Sequence, residues 1–386
     1  MRVAIVSESF LPTLNGVTTS VVKVMEHLAD AGHEAMLIVP AAGSPRRYAG
    51  FDVHEVPALA YRQFPVGLPN SQVSSLISAF QPDVLHVAAP FLLGAQAIAS
   101  ANRLGVPSVA IYQTDVSGYA RRNRLAVASS FAWRVVRWIH EGADLTLVPS
   151  TTAMTALRTA GVSRLERWGR GVDVVTYHPE RRASAAVAAL RARLAPDGEV
   201  VVGYVGRVAP EKSVERLAEL RGLPGVRLAV VGDGPSMPLV TRALQGMPVD
   251  FLGTLRGEEL ADAYAAFDVF AHTGLEETFG QTLQEAHASG LPIAAPRAGG
   301  PIDLIDHGVD GLLFDPVREG ALREAVEALV ASPERRSRMG QAGRRKVADR
   351  SWSAVCDDLL GHYASVIAAR AGALDGTAPL GTRAGA

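Results

Sequence analysis

The sequence has little of several features that would assign it to a functional class. It contains a single cysteine, Cys356, so no internal disulfide can form, which fits a reducing compartment. Its net charge is −1, so no overall positive field favours nucleic acid as a partner. No apolar run approaches the roughly 18 residues of a membrane-spanning helix. A strand-like segment begins at Val3, directly after Met1-Arg2, so we predict no signal peptide and a cytoplasmic protein.

The residue spacings that are characteristic of metal sites and of dinucleotide-binding sites are also absent. No pair of histidines or cysteines has metal-ligand spacing, so we predict no metal centre. Neither Gly203-Tyr204-Val205-Gly206 nor Gly232-Asp233-Gly234 completes the pattern G-x-G-x-x-G. Its absence argues against a dinucleotide-dependent oxidoreductase.

The pattern that is present is a repeated alternation of short apolar runs and amphipathic stretches. The chain has 386 residues, 48% of them hydrophobic, which suits two globular domains. Strands are predicted at 3–6, 35–39, 84–87, 108–111 and 145–148, with helices at 17–29, 71–80, 92–102 and 125–141. The alternation restarts at Val200, with later strands at 228–231, 249–252, 269–271 and 292–295. This order predicts an α/β protein with two Rossmann-like, doubly wound parallel sheets facing a central cleft.

The domain boundaries follow from a change in composition between the halves. A linker is placed at about 170–180, which gives an N-terminal domain of 1–172 and a C-terminal domain of 173–351. Residues 371–386 are mostly Gly, Ala, Thr and Pro, and we predict a disordered tail there.

The stretch from Glu277 to Glu285 carries two carboxylates eight positions apart. A helix is predicted over 281–289, with Gly290 as its stop, so Glu277 precedes the helix and Glu285 lies just over one turn inside it. The free N–H groups of residues 279–282 form an anion site at the helix N-terminus. The second carboxylate is about 7 Å down the axis, at ~1.5 Å per residue. This spacing fits a hydroxylated group on either side of a diphosphate, as in a sugar nucleotide.

Arg207 and Lys212 follow the first predicted strand of the second half. Lysine is rare, with only three among 38 Lys+Arg residues, so a lysine beside a strand end is notable. An arginine can bond two phosphate oxygens at once and a lysine acts as a point charge, so the pair suits a diphosphate. A solvated surface charge is the alternative.

Other polar residues near strand ends have more than one interpretation. Gln113 and Asp115 follow the strand at 108–111, where Asp115 is either a helix cap or a sugar ligand. His272 borders the Glu277 loop and has either a substrate-related or a structural role, whereas His86 lies in an apolar run and is predicted to be a core histidine.

Residues 121–139 combine arginines with aromatic side chains. Phe131, Trp133 and Trp138 alternate with Arg134 and Arg137. Such a pattern marks either binding to a membrane surface or core packing with a solvated arginine face. Peripheral contact with the inner face of the cell membrane therefore stays open.

Together these motifs resemble the family 4 retaining glycosyltransferases of the GT-B fold, and most closely the bacterial GDP-mannose-dependent α-mannosyltransferases that act on lipid acceptors. The resemblance rests on Gly206-Arg207, Glu211-Lys212, Val231-Gly232-Asp233-Gly234-Pro235 and the Glu277-to-Glu285 stretch. It implies that a last helix at about 352–368 packs back on the N-terminal domain. It also implies GDP-mannose or a related sugar nucleotide as the donor, a lipid-linked acceptor and no cofactor.

The resemblance assigns catalytic roles to three of these side chains. Arg207 and Lys212 would hold the diphosphate, and Glu277 would bond the donor sugar. Glu285 would bond the ribose hydroxyls. The charge that develops on the departing diphosphate would be stabilised by the two cations and the helix N-terminus.

The remaining implied contacts are to the donor's phosphates and sugar. Many members of the family have a histidine at the position of Gln113, which cannot act as an acid or base but can bond a hydroxyl. We therefore assign sugar positioning to Gln113 and Asp115. Backbone contacts to the donor are expected from Gly16, Phe279, Gly280, Gln281 and Thr282.

Two alternative functions remain from the sequence. One is a UDP-sugar-dependent member of the same family with another acceptor. The other is a sugar-nucleotide-binding protein without catalysis, which the presence of both carboxylates and both cations disfavours.

Overall fold

The computed structural model describes residues 1–61, 64–67, 70–113 and 126–374, which form two compact units. The first unit comprises Met1–Gly169 together with the chain from Val355 onward. The second unit comprises Arg170–Ala354. Each unit is built on its own parallel sheet.

The sheet of the first unit has eight strands in the order β10-β9-β8-β7-β1-β2-β4-β3. All neighbours pair in parallel except β3 and β4, while β5 and β6 form a separate antiparallel pair. The strands are β1 Arg2–Ser7, β2 Glu34–Pro40, β3 Arg47–Tyr48, β4 Phe51–Val56, β5 Ala58–Tyr61, β6 Phe64–Gly67, β7 Val84–Ala88, β8 Ser108–Ile111, β9 Leu145–Val148 and β10 Leu165–Arg167.

Amphipathic helices cover this sheet, and their ends carry capping residues. The Asn15 side chain accepts the N–H groups of Val17 and Thr18 at the start of α1, and Gly105 ends α3 in the left-handed conformation. The helices are α1 Gly16–Asp30, α2 Ser71–Phe80, α3 Leu92–Leu104, α4 Ala126–Glu141 and α5 Thr151–Thr159.

The second unit has a six-stranded parallel sheet in the order β13-β12-β11-β14-β15-β16. Its strands are β11 Val200–Val205, β12 Val226–Val231, β13 Val249–Gly253, β14 Val269–Ala271, β15 Ile293–Pro296 and β16 Gly311–Phe314. Its helices are α6 Ala185–Leu194, α7 Met237–Ala243, α8 Gly257–Ala266, α9 Gln281–Ala288, α10 Pro301–Leu304, α11 Ala321–Val330 and α12 Pro333–Val347. Alternate residues of β11 face two different apolar cores, so both faces of the sheet are buried.

The last helix, α13 Trp352–Leu374, begins in the second unit and continues into the first. Within the first unit, the hydroxyl of Tyr363 on α13 lies 2.5 Å from Nδ1 of His86 on β7, and both residues are buried. The prediction of a core histidine at position 86 is thereby confirmed. No described helix has both the length and the apolar character to cross a bilayer.

The strand order of the second unit reverses between β11 and β14. Chain segments leaving these two neighbouring strands run in opposite directions along the sheet, which opens a crevice at their carboxyl ends. Arg207 and Lys212 follow β11, and His272 and Glu277 follow β14. The topology therefore gathers the predicted site residues of this unit at one edge of one sheet.

Most predicted elements are confirmed to within a few residues, and some strands were missed. The strands β3 to β6, β10 and β16 had no prediction. Polar residues interrupt β4, β10 has three residues of which two are charged, and β16 has only four residues. The prediction of a tail from residue 371 is wrong for 371–374, where helix formers such as Leu374 continue α13. Residues 375–386 lie outside the described chain.

Two glycine loops at the carboxyl edge of the second sheet approach each other backbone to backbone. The N–H of Gly206 donates to the carbonyl of Val231 at 3.0 Å, and that of Gly232 donates to the carbonyl of Gly253 at 2.7 Å. Gly232 has φ +128°, and a Cβ there would lie 1.9 Å from the carbonyl oxygen of Gly206. A side chain is therefore excluded at position 232.

We expect Gly232→Ala to lower the free energy of unfolding by about 2–4 kcal/mol, because backbone strain and a backbone clash combine. Denaturation in urea measures this loss. Gly222→Ala is a matched control, since Gly222 has φ +74° but nothing within 4 Å of its Cβ position. It should cost only about 1 kcal/mol. Equal losses in the two variants would contradict the clash.

Candidate active site

An ion pair between Lys212 and Glu277 joins the loops that follow β11 and β14. Lys212 ends a short 3-10 turn, and its Nζ donates to Oε2 of Glu277 at 2.5 Å. The two side chains are only 20% and 15% exposed. The hydroxyl of Thr273 also donates to the carbonyl of Lys212 at 2.7 Å, which fixes the lysine backbone.

The pair keeps Glu277 ionised. Burial by itself would raise the pKa of this carboxyl, but the charge of Lys212, aided by His272 and by the N–H of Phe279, lowers it to about 2. A carboxylate that stays charged at neutral pH is a strong acceptor for hydroxyl groups. Glu277 and Lys212 are 65 positions apart in the sequence.

Arg207 points to solvent in the same crevice. Its side chain is 63% exposed and forms an ion pair with Glu211, which is 13% exposed. An exposed guanidinium can move to a ligand at small cost, because an exposed ion pair contributes little free energy. Among the described residues, Arg207 thus contacts Glu211 and none of the other predicted site residues.

The N-terminus of α9 is formed as predicted, with Gly280 as its N-cap residue at φ +107°. No side chain of the described chain caps this helix, which leaves the N–H groups of Gln281 and Thr282 available to an anion, whereas the N–H of Phe279 donates to Oε1 of Glu277 at 3.4 Å. A second glycine loop presses against this turn: the N–H of Gly300 donates to the carbonyl of Glu277 at 2.7 Å. A Cβ at Gly300 would lie 2.1 Å from the carbonyl oxygen of Phe279.

Glu285 lies on α9 and has a different partner and a different charge state from Glu277. The hydroxyl of Tyr264 on α8 donates to its Oε2 at 2.9 Å. Burial raises the pKa of Glu285 to about 7, although the hydrogen bonds from Tyr264 and Gln281 oppose this. The two carboxylates are therefore not equivalent.

This raised pKa gives a stability prediction for Glu285→Gln. The folded protein binds the proton more tightly than the unfolded chain, with its ordinary pKa of 4.5, so stability falls as pH rises from there through about 7. We expect the variant to have a higher Tm than the parent at pH 8 and no advantage at pH 4, as measured by thermal unfolding. Glu324→Gln, at an exposed carboxylate, is the control and should show no gain at pH 8. A gain that does not change with pH would contradict this account.

Three residues that the sequence did not assign to the site support α9 and the Glu277 loop. The Arg170 guanidinium lies 5.9 Å from the centroid of the Phe279 ring, and burial lowers its pKa to about 10 although Glu277 opposes this. The Gln284 side chain donates to the carbonyl of Arg170 at 2.8 Å. Tyr264 is the third. A basic residue in the predicted linker was the available signal for Arg170, but nothing local indicated Tyr264 or Gln284.

Gln281 and Thr282 also contribute backbone and side-chain contacts around the helix start. The Gln281 side chain donates to the carbonyl of Gly171 at 3.0 Å, and the carbonyl of Thr282 accepts from the Tyr264 hydroxyl at 3.3 Å. Gly171 has no space for a side chain, because a Cβ would lie 2.4 Å from Cα of Trp352. The start of α9 is thus tied to the chain around residue 171.

The predicted residues of the first unit are placed as follows. Gly16 is the first residue of α1, and Gln113 is the second residue after β8. Asp115 lies outside the described residues. The roles of Gly16, Gln113 and Asp115 remain predictions.

Chemically, the crevice of the second unit can hold an anion and hydroxyl groups together. Lys212, Arg207 and the N-terminus of α9 supply positive charge, and Glu277 supplies an ionised acceptor beside it. Its lysine contact stabilises the charge of Glu277 and lowers its nucleophilicity. The geometry favours stabilising charge on a leaving group over covalent catalysis.

Comparison with known proteins agrees with this chemistry. Residues 14–176 match the family described as Glycosyltransferase Family 4, and residues 188–346 match Glycosyl transferases group 1. The chain is 47% identical over 379 residues to a GDP-mannose-dependent alpha-mannosyltransferase of Mycolicibacterium smegmatis, covering 96% of this chain and 99% of that protein. It is 44% identical to a protein of the same description from Corynebacterium glutamicum, covering 95% and 90%.

Solved structures share the fold at much lower identity. The structure of Anabaena HepE in complex with UDP superposes with a TM-score of 0.79 at 19% identity, covering 95% of this chain and all of that one. Sucrose-phosphate synthase from Thermosynechococcus elongatus gives a TM-score of 0.78 at 22% identity, covering 95% and 99%. These likenesses support the two-sheet GT-B architecture.

Proposed function

The chain belongs to glycosyltransferase family 4, and from that premise we propose that it transfers mannose from GDP-mannose to a lipid-linked acceptor with retention of anomeric configuration. The donor follows from full-length similarity to two proteins described as GDP-mannose-dependent alpha-mannosyltransferases. The observation that carries the proposal is the Lys212–Glu277 pair beside the start of α9. A cation suited to a diphosphate, next to an ionised acceptor suited to sugar hydroxyls, supports donor binding at this pair.

In the proposed reaction the protein acts mainly through charge. The acceptor hydroxyl attacks the anomeric carbon from the side of the leaving group, and a diphosphate oxygen takes its proton. Arg207, Lys212 and the α9 N-terminus stabilise the negative charge that builds on the diphosphate. Glu277 holds the transferred sugar and forms no covalent intermediate. No metal ion takes part, so addition of EDTA should leave the rate unchanged.

Glu285 is proposed to bind the ribose of the nucleotide. Its side chain lies on α9, the helix whose start is proposed to bind the diphosphate, and accepts a hydrogen bond from Tyr264 of α8. A carboxylate can accept both ribose hydroxyls at once, which favours the ionised form. Nucleotide affinity should therefore weaken as the pH falls below about 7.

The proposal is tested by incubating the protein with GDP-[¹⁴C]mannose and a membrane lipid extract. Radioactivity in the organic phase, with an α-linkage in the product, supports it. Parallel reactions with UDP-glucose decide between the two nucleotides. Absence of transfer and of donor hydrolysis with every nucleotide sugar would contradict enzymatic function and leave sugar-nucleotide binding as the activity.

We further propose that α4 contacts the membrane that carries the acceptor. The structure separates its aromatic residues: Trp133 packs against an apolar cluster, whereas Phe131 and Trp138 are 60% and 66% exposed. Arg134 lies with its guanidinium 5.8 Å from the Phe131 ring centroid. Exposed aromatic and basic residues on one helix face suit an anionic lipid surface.

Exchanging both exposed aromatics for aspartate, as Phe131→Asp/Trp138→Asp, should abolish binding to vesicles that contain anionic lipid. Sedimentation with vesicles measures this. Val317→Asp removes a side chain that is 89% exposed in the second unit and should leave binding intact. Equal binding by the double variant and the parent would exclude this surface.

A further inference from the structure

His272 is a buried residue at the site to which the proposed reaction gives no role. It follows β14 directly, is 2% exposed, and its backbone N–H donates to the carbonyl of Ala294 at 2.8 Å. Neither ring nitrogen makes a hydrogen bond of good distance and angle to the described residues, although the ring lies close to the Gly274 backbone. Buried polar atoms are nearly always paired, so two such nitrogens in one imidazole are unusual and leave the ring able to bond a group that reaches it.

The imidazole lies beside the Lys212–Glu277 pair. A Cβ at Gly274 would lie 3.2 Å from Nε2 of His272 and 3.3 Å from Cδ of Lys212, so the missing side chain leaves the space between them open. Burial, together with Lys212, lowers the pKa of His272 to about 4 although Glu277 and the Gly274 backbone oppose this. At neutral pH the ring is therefore uncharged and carries one N–H donor.

On the premise of the proposed function, we propose that His272 is a positioning residue that takes over Glu277 from Lys212 when the donor binds. In the structure Lys212 Nζ donates to the Glu277 carboxylate at 2.5 Å. A diphosphate attracts the ammonium group of Lys212, and the partly buried carboxylate of Glu277 then has one hydrogen-bond donor fewer. The imidazole N–H then replaces the ammonium, so that Glu277 stays ionised and oriented toward the sugar.

Other groups face Glu277 and have different capacities. Arg170 acts on it through its charge, and the N–H of Phe279 already donates to Oε1 at 3.4 Å. The Tyr204 hydroxyl donates to the carbonyl of Arg207 at 3.1 Å, so its proton is already used. His272 differs from these because its ring nitrogens make no hydrogen bond of good distance and angle to the described residues.

Three substitutions test the proposal after turnover has been shown for the parent protein. His272→Leu should lower kcat by about 10–100-fold, the worth of one hydrogen bond to a charged group, with little change in the Kd for GDP. In its kcat–pH profile the acidic limb should move upward by about one pH unit, because Glu277 in the donor complex has lost a donor. His272→Asn and His272→Gln place an amide N–H near Nδ1 and Nε2 respectively, and one of the two should restore most of the rate.

Several outcomes would overturn the proposal. One is a His272→Leu variant with the parent's kcat and pH profile. Another is three variants that are equally slow with an unmoved acidic limb, which would indicate packing alone. If the parent itself transfers no sugar, the proposed function fails instead, and the two failures are thus distinguishable.

A structure of the parent protein with GDP bound tests the proposal without any variant, so the result does not depend on how stable the variants are. The expected result is Lys212 on the diphosphate and a His272 ring nitrogen within about 3.2 Å of the Glu277 carboxylate. If Lys212 still holds Glu277, or if both ring nitrogens stay unpaired, the proposal is refuted.

Discussion

Lys212→Ala is expected to lower kcat by about 10²–10³-fold, the loss typical for removing one preorganised group that stabilises transition-state charge. The alanine removes the cation that is proposed to meet the departing diphosphate. It also leaves Glu277 with its buried charge and without its main partner. We expect a smaller effect on folding, about 1–3 kcal/mol, since one partner of a hydrogen-bonded pair loses its contact. Steady-state sugar transfer and urea denaturation measure the two effects.

The chain offers a matched control for this variant. Lys23 donates to Glu26 at 2.8 Å, but these side chains are 40% and 39% exposed and lie in the first unit. Lys23→Ala should leave kcat unchanged and alter stability by no more than about 0.5 kcal/mol. Sugar transfer by Lys212→Ala at the rate of Lys23→Ala would remove Lys212 from the mechanism.

Glu277→Gln should separate nucleotide binding from sugar transfer. The amide fills the same space but is a weaker acceptor, so kcat/KM for GDP-mannose should fall by about 10²-fold. The affinity for GDP alone should be unchanged or higher, because Lys212 no longer has to leave a carboxylate to reach the diphosphate. Calorimetric titration with GDP and transfer assays with GDP-mannose give the two quantities.

Glu324→Gln is the control in the same unit, since Glu324 forms an exposed ion pair with Arg318. It should change neither quantity. A parallel loss of GDP affinity and transfer in Glu277→Gln would contradict the assignment of Glu277 to the sugar. It would instead indicate that the carboxylate supports the whole nucleotide site.

Much of the fold could be predicted because its signals are local. Strands at the centre of the sheets are dominated by apolar residues, as in β11, and turns are marked by glycines, such as Gly290 after α9. Among the missed strands, β10 has three residues and is largely exposed, so no apolar run marked it, and polar residues interrupt β4. The extension of α13 through 371–374 was missed because the tail was predicted from composition alone. Composition does not show that helix-forming residues continue the preceding helix.

The site was predictable in identity but not in pairing. Glu277, Lys212, Arg207 and Glu285 stand in recognisable local motifs, and the Arg207–Glu211 contact spans only four positions. The contact of Lys212 with Glu277 joins residues 65 positions apart, and it exists because β11 and β14 are neighbours in the sheet. The ion pair is therefore a consequence of topology.

By itself the sequence determined the two parallel-sheet units, the start of α9 and which charged side chains would stand at strand ends. These depend on local conformational preferences and apolar periodicity, which act over a few residues. Only the tertiary structure decided the charge states of the two carboxylates: both are largely removed from solvent, but Glu277 has Lys212 and stays ionised, whereas Glu285 has the neutral Tyr264 and its pKa rises to about 7. Tertiary structure also left the His272 ring without a hydrogen bond of good distance and angle to the described residues around it. Burial and through-space charge depend on which distant segments meet, and no local pattern contains that information.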